Sequence, residues 1–152
     1  MRRFFPMVMF VCALIALPPA ASAQDVGVRG GVSAQPDQFF VGLHVVTRPL
    51  FDRVVFRPNV EAGFGDGLTL IAINGEFVYR QPINRQPWSL IVGGGPGAVI
   101  RRYDKDRGGR TDSGPGLNLL AGLEHSGGFF AEVKAGFIDS PAFKFTLGFT
   151  FR

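Results

Sequence analysis

The last ten residues alternate without a break: Phe143, Phe145, Leu147, Phe149 and Phe151 are interleaved with Lys144, Thr146, Gly148, Thr150 and Arg152. Successive side chains of a strand point to opposite faces, so this segment is a strand with one apolar, mostly aromatic face and one polar or small face. The same period of two recurs along the chain and predicts strands at 26–33, 38–46, 53–64, 68–81, 88–101, 115–124, 129–138 and 143–152. Leu43, Val60, Ile73, Val92, Leu119 and Val133 fall on the apolar faces. Arg29, His44, Arg57, Glu61, Glu76, Arg80, Arg101, Glu124, Glu132, Lys134 and Lys144 fall on the polar ones, with Arg53 at the start of the third. Pro58 interrupts the third strand and predicts a bulge, because proline cannot donate to a ladder. The turns carry Pro36, Pro49, Gly65-Asp66-Gly67, Pro82, Pro87 and Ser126-Gly127-Gly128. The eight aspartates fall in expected turns, loops or the amino-terminal end, and the four glutamates fall on strands.

The amino terminus follows a different pattern. Arg2 and Arg3 precede an apolar run from Phe4 to Leu17, and Ala21-Ser22-Ala23 closes the segment. These are the charged, apolar and cleavage regions of a secretory signal peptide, expected at 1–23, leaving a single domain at 24–152. The run contains Pro6 and falls short of the about 20 apolar residues of a spanning helix. Cys12 lies inside it, so residues 24–152 hold no thiol or disulfide. Without Arg2 and Arg3, 14 of the 16 Lys and Arg remain against 12 Asp and Glu, a net charge of +2. Such balance, without interleaved cations and aromatics, argues against a nucleic-acid partner.

Eight alternating strands close into a barrel in two ways: apolar face inward, as in a soluble lipocalin-like ligand carrier, or outward, as in a membrane barrel. Three features favour the membrane. Glycine concentrates on the polar face (Gly31, Gly42, Gly93, Gly95 and Gly122 among others), as a narrow interior requires. Strands of about ten residues match the roughly 9–11 that cross a bilayer. The outward aromatics gather at two levels, Tyr79, Trp88, Phe129, Phe149 and Phe151 at one and Phe39, Phe64, Phe137 and Phe143 at the other, like interfacial girdles. With a periplasmic start, the longest and most charged loop, 102–114, lies outside the cell.

On these alternating strands and girdles the chain resembles the small eight-stranded bacterial outer-membrane barrels of the OmpA/OmpX type. The resemblance spans residues 24–152. It implies an all-β, eight-stranded antiparallel up-and-down transmembrane barrel, with outer-membrane lipid and lipopolysaccharide as surroundings. It also implies a barrel-assembly machinery that reads the C-terminal strand. Members of such families commonly end in an aromatic; here Phe151 is followed by Arg152.

Candidate chemistry is sparse. Val92 to Gly97 is glycine-rich but lacks the Gly-Lys-Ser/Thr and helix of a phosphate loop, and reads as a barrel bend. Glu124-His125-Ser126 offers hydrolase residue types, but neighbouring positions on a strand point oppositely, so a turn role is favoured. His44 reads as an interior polar filler. With two histidines and no cysteine in the domain, no metal or cofactor site is expected. Asp104, Asp106 and Asp112 lack the spacing of a calcium loop. Two sets of residues remain as sites. Arg29, Arg57, Glu61, Glu76, Glu124, Glu132, Lys134 and Lys144 are expected to form an interior polar network that plugs the barrel. Arg102, Lys105, Arg107 and Arg110 are the candidates for surface-loop contacts, including lipopolysaccharide phosphates. The expected function is non-enzymatic: structural, adhesive or surface-binding. The alternatives are a lipid-A-modifying enzyme and a secreted carrier of a hydrophobic ligand.

Overall fold

The computed structural model describes residues 24–152; the expected signal peptide lies outside the described residues. Eight strands follow in order: β1 (Asp25–Ala34), β2 (Gln38–Val46), β3 (Val54–Gly65), β4 (Leu68–Pro82), β5 (Trp88–Tyr103), β6 (Thr111–His125), β7 (Phe129–Ile138) and β8 (Phe143–Phe151). Each pairs antiparallel with the next, and β8 returns to β1, closing the barrel. The closing seam is continuous from Val26 opposite Phe151 to Ala34 opposite Phe143. Closure leaves no unpaired edge, which a β structure in an apolar surround must avoid.

Alternation decides the faces as the sequence implies. Leu43, Val60, Leu119, Val133 and Leu147 point outward and are exposed, whereas Arg57, Glu61, Glu76, Glu132, Lys134 and Thr146 are buried inside. At the end of the barrel that carries the termini, Trp88 packs edge-on against Phe129, and Phe149 against Phe151. At the other end Phe39 meets Phe64 across the β2–β3 pair, 5.7 Å between ring centres. The inward glycines answer a backbone demand more than a side-chain one. A Cβ on Gly31 would strike the Phe145 carbonyl of β8, and one on Gly95 the Gly75 carbonyl of β4. The coiled strands of a narrow barrel bring neighbouring backbones too close for any side chain there.

Four expectations are corrected. First, β5 runs on past 101 to Tyr103 and β6 starts at Thr111 rather than at 115, for lengths of 16 and 15 residues. The expected loop 102–114 is mostly hairpin: Arg102 pairs with Thr111 and Arg101 with Asp112, leaving 104–110 as the connection. Ladder bonds need no apolar side chains, so strands continue past the apolar belt into charged sequence. Asp112 therefore sits in a strand, as does Asp25 at the start of β1. Second, Pro58 makes no bulge. The β2–β3 ladder stops at His44–Asn59, yet the Thr47 N–H donates to the Phe56 carbonyl in the same register, so the missing donor skips a bond without shifting the pairing. Third, Arg53 lies exposed in the turn before β3, bonded to Gln81, rather than inside.

Fourth, the interior is not simply polar. Val46, Val55, Val78, Ile91 and Leu120 form one apolar cluster in the half nearer the termini, and Leu68, Leu70, Ala72 and Val99 form another in the opposite half. Phe40 and Phe130 are also buried. Arg29, Arg57, Glu61, Glu76, Glu132, Lys134 and Lys144 lie between these clusters.

Candidate functional site

Seven inward side chains from five strands meet at mid-barrel: Arg29 of β1, Arg57 and Glu61 of β3, Glu76 of β4, Glu132 and Lys134 of β7, and Lys144 of β8. Register brings them together. Arg57 stands opposite Glu76 and Lys134 opposite Lys144, while Arg29 lies opposite Gly42 and Gly148, where a Cβ would strike Glu61 and the Phe130 ring. Arg57 Nη2 lies 3.1 Å from Glu76 and 2.5 Å from Glu132. Lys134 Nζ lies 2.5 Å from Glu76, 3.4 Å from Glu61 and 3.4 Å from Glu132. Arg29 approaches all three carboxylates at 3.3–3.6 Å, and Lys144 pairs with Glu61. Phe130 sits under two guanidinium groups, Arg29 at 5.5 Å and Arg57 at 5.2 Å, and Lys144 lies 4.9 Å from the Phe40 ring centre. Four cations thus face three carboxylates, all seven nearly excluded from solvent. An amide ladder crosses beside them: Asn118 donates to Asn74, and Asn74 to Asn59, each at 2.9 Å.

Glu124 departs from the expected network. It is inward and buried, but at the termini end, where it accepts from Arg80 and from Arg152. Arg152 also reaches Asp25 at 3.7 Å and donates to the Ser126 carbonyl at 3.1 Å. The last residue therefore ties together the start of β1, the β6–β7 turn and the end of β6. Sequence reasoning did not assign Arg152 this role, although its position in the alternation, in phase with Thr150 and Gly148, was the available signal.

The hydrolase residue types do not converge. Glu124 points in, His125 packs on Trp88 with 4.8 Å between ring centres, and His125 Nδ1 accepts the Gly127 N–H within its own turn. His44 is buried, bonds Thr150 Oγ1 at 2.9 Å and stacks edge-on against Phe130.

The four loop candidates separate as well. Arg107, in the short 3-10 turn Lys105–Arg107, pairs with Asp66 of the neighbouring hairpin at 3.4 Å. Arg110 lies over the Tyr103 ring at 5.2 Å. Arg102 and Lys105 instead line a cavity of about 680 Å³ at the rim, together with Thr69, Ile71, Ile100, Tyr103, Asp104, Gly109 and Thr111.

A closed eight-stranded barrel with an apolar exterior and an ion-paired interior is the architecture of small outer-membrane barrels. Three solved structures share the barrel fold. The N-terminal β-barrel domain of Pseudomonas aeruginosa OprF matches with a TM-score of 0.64 at 14% identity, over 85% of this chain and 97% of that one. Neisserial surface protein A (NspA) matches at 0.63 and 14%, over 84% and 92%. The outer membrane enzyme PagL matches at 0.51 and 14%, over 84% and 99%. No protein-family model matches the sequence, and no curated protein matches it.

Proposed function

We propose that the protein is a non-enzymatic, non-conducting barrel of the bacterial outer membrane with a structural or surface-binding role, exported through cleavage after Ala23. The observation that carries this reading is the inverted polarity of the barrel: Leu43, Leu119, Phe145 and Leu147 outside, and Arg57, Glu61, Glu76, Glu132 and Lys134 buried inside. A carrier of a hydrophobic ligand needs the reverse, an apolar cavity inside a hydrated shell. The interior charges and the apolar clusters on either side of them fill the lumen, which argues for a plug over a water path. Against catalysis stands the separation of Glu124, His125 and Ser126, and the burial of His44 against Thr150 and Phe130. The orientation adopted puts both termini in the periplasm and the β5–β6 hairpin outside the cell.

The test is separation of inner and outer membranes on a density gradient from cells making the native protein, followed by planar-bilayer recording of the purified barrel. Recovery with the outer membrane and no discrete current steps is expected. Recovery in the soluble periplasm would overturn the membrane assignment, and steady channel openings would overturn the plug.

A further inference from the structure

The cavity at the tip of the β4–β5–β6 sheet lies where the outward apolar surface ends. Ile71 of β4 and Ile100 of β5 stand opposite one another. One step further along the same outward face, Arg102 is flanked by Thr69 on β4 and Thr111 on β6. Lys105 closes the cavity from the hairpin connection, whose turn is set by Gly108 at φ 93° and Gly109 at φ 58°. Both values lie in the left-handed region that glycine adopts without strain.

Neither Arg102 nor Lys105 has an ion-pair partner among the described residues, whereas Arg107 and Arg110 are engaged by Asp66 and Tyr103. Asp104 lines the same cavity, so two cations stand against one carboxylate. An arginine fork, a lysine and two threonine hydroxyls suit a phosphate. The isoleucines directly below suit the first methylenes of an acyl chain.

We propose that this cavity binds the phosphate of an outer-leaflet lipid, with Arg102 and Lys105 holding the phosphate and Ile71 and Ile100 the chain beneath it. The inference rests on the membrane reading above and adds a ligand to it. Continuity of the cavity with the lipid-facing surface selects a phospholipid or lipid A phosphate over a soluble anion, which would gain nothing from Ile71 and Ile100.

The full chain, purified in a neutral detergent, is titrated with bisphosphorylated lipid A and with its dephosphorylated form, and bound lipid is counted by native mass spectrometry. Wild type is expected to retain the phosphorylated form preferentially. The Arg102→Gln, Lys105→Gln double variant is expected to bind it about tenfold more weakly or worse, as the loss of charge-assisted contacts requires. Arg85→Gln, an exposed arginine at the opposite end, is expected to leave binding unchanged. Equal binding by the double variant, or equal binding of the dephosphorylated lipid, would overturn the phosphate site while leaving the membrane reading intact. Competition by inorganic phosphate at the same concentration as lipid would replace it with a soluble-anion site. A protein that stays dispersed in water without detergent would overturn both. Circular dichroism of the double variant, expected to match wild type, separates lost binding from lost folding.

Discussion

Replacing Glu61 by Gln and Lys144 by Met perturbs the buried network in opposite directions. Glu61 accepts from Lys144 and lies 3.3 Å from Arg29 and 3.4 Å from Lys134. Its neutralisation leaves four buried cations facing two carboxylates. Removing one partner of a buried pair costs about 3–5 kcal/mol, because the charge left behind is neither solvated nor compensated. Lys144 has Glu61 as its ion-pair partner, and Glu61 keeps Arg29 and Lys134 when the lysine is gone. Lys144→Met balances the core at three against three and removes one buried ammonium from the desolvation penalty. Against that stands the loss of one pair and of the contact with Phe40, the latter about 0.5–2 kcal/mol. The expected cost of Lys144→Met is therefore less than half that of Glu61→Gln. The double variant returns the core to an excess of one cation, so it is expected to be more stable than the sum of the singles implies, by about 0.5–3 kcal/mol. The assay is urea unfolding of the barrel folded into lipid vesicles, followed through the single tryptophan, Trp88. Lys144→Met costing as much as Glu61→Gln, or strict additivity in the cycle, would refute the argument from charge imbalance.

Arg152→Gln removes the link between Asp25, Ser126 and Glu124. Its expected cost in the same unfolding assay lies between the about 0–1 kcal/mol of a surface pair and the about 3–5 of a fully buried one, since Arg152 is partly exposed and Glu124 is buried. A variant as stable as wild type would deny the C-terminal arginine any part in holding the closed ring. Gly31→Val places a side chain against the Phe145 carbonyl on the closing seam. It is expected to abolish the fast-migrating folded band on unboiled gels, and an unchanged band would show that the seam has slack.

The number of strands, their order of faces and the inward placement of all eight expected interior charges were legible because a period of two is a strict code. Lys144 and Lys134 land inside for the same reason that Leu147 and Val133 land outside. What was not legible depended on distance along the barrel axis. Alternation and the neighbouring Ser126-Gly127-Gly128 turn put Glu124 inward at the termini end, but do not say that it lies within reach of Arg80 and Arg152; that follows from strand register, which pairs Ser89 with Glu124. The charged stretch 102–114 looks like loop because its composition is polar, whereas backbone pairing carries β5 and β6 through Tyr103 and Thr111 regardless of side chain. The interior apolar clusters were missed because Val55, Val78, Ile91 and Val99 break the polar–apolar alternation locally, where a short apolar run hides which member faces in.

The claim on which the account depends most is that the apolar face meets lipid, and Thr146 and Leu147 test it as neighbours. Thr146 is fully buried inside the barrel and Leu147 is 43% exposed on the outer surface. Residues 24–152 contain no cysteine, so each position can carry a single thiol. With the barrel in lipid vesicles, a fluorophore on Leu147→Cys is expected to be quenched by lipid-borne quenchers, and Thr146→Cys is expected to resist both lipid quenching and a polar maleimide in the water phase. Ready aqueous labelling of Thr146→Cys, with no lipid quenching at Leu147→Cys, would contradict the membrane assignment.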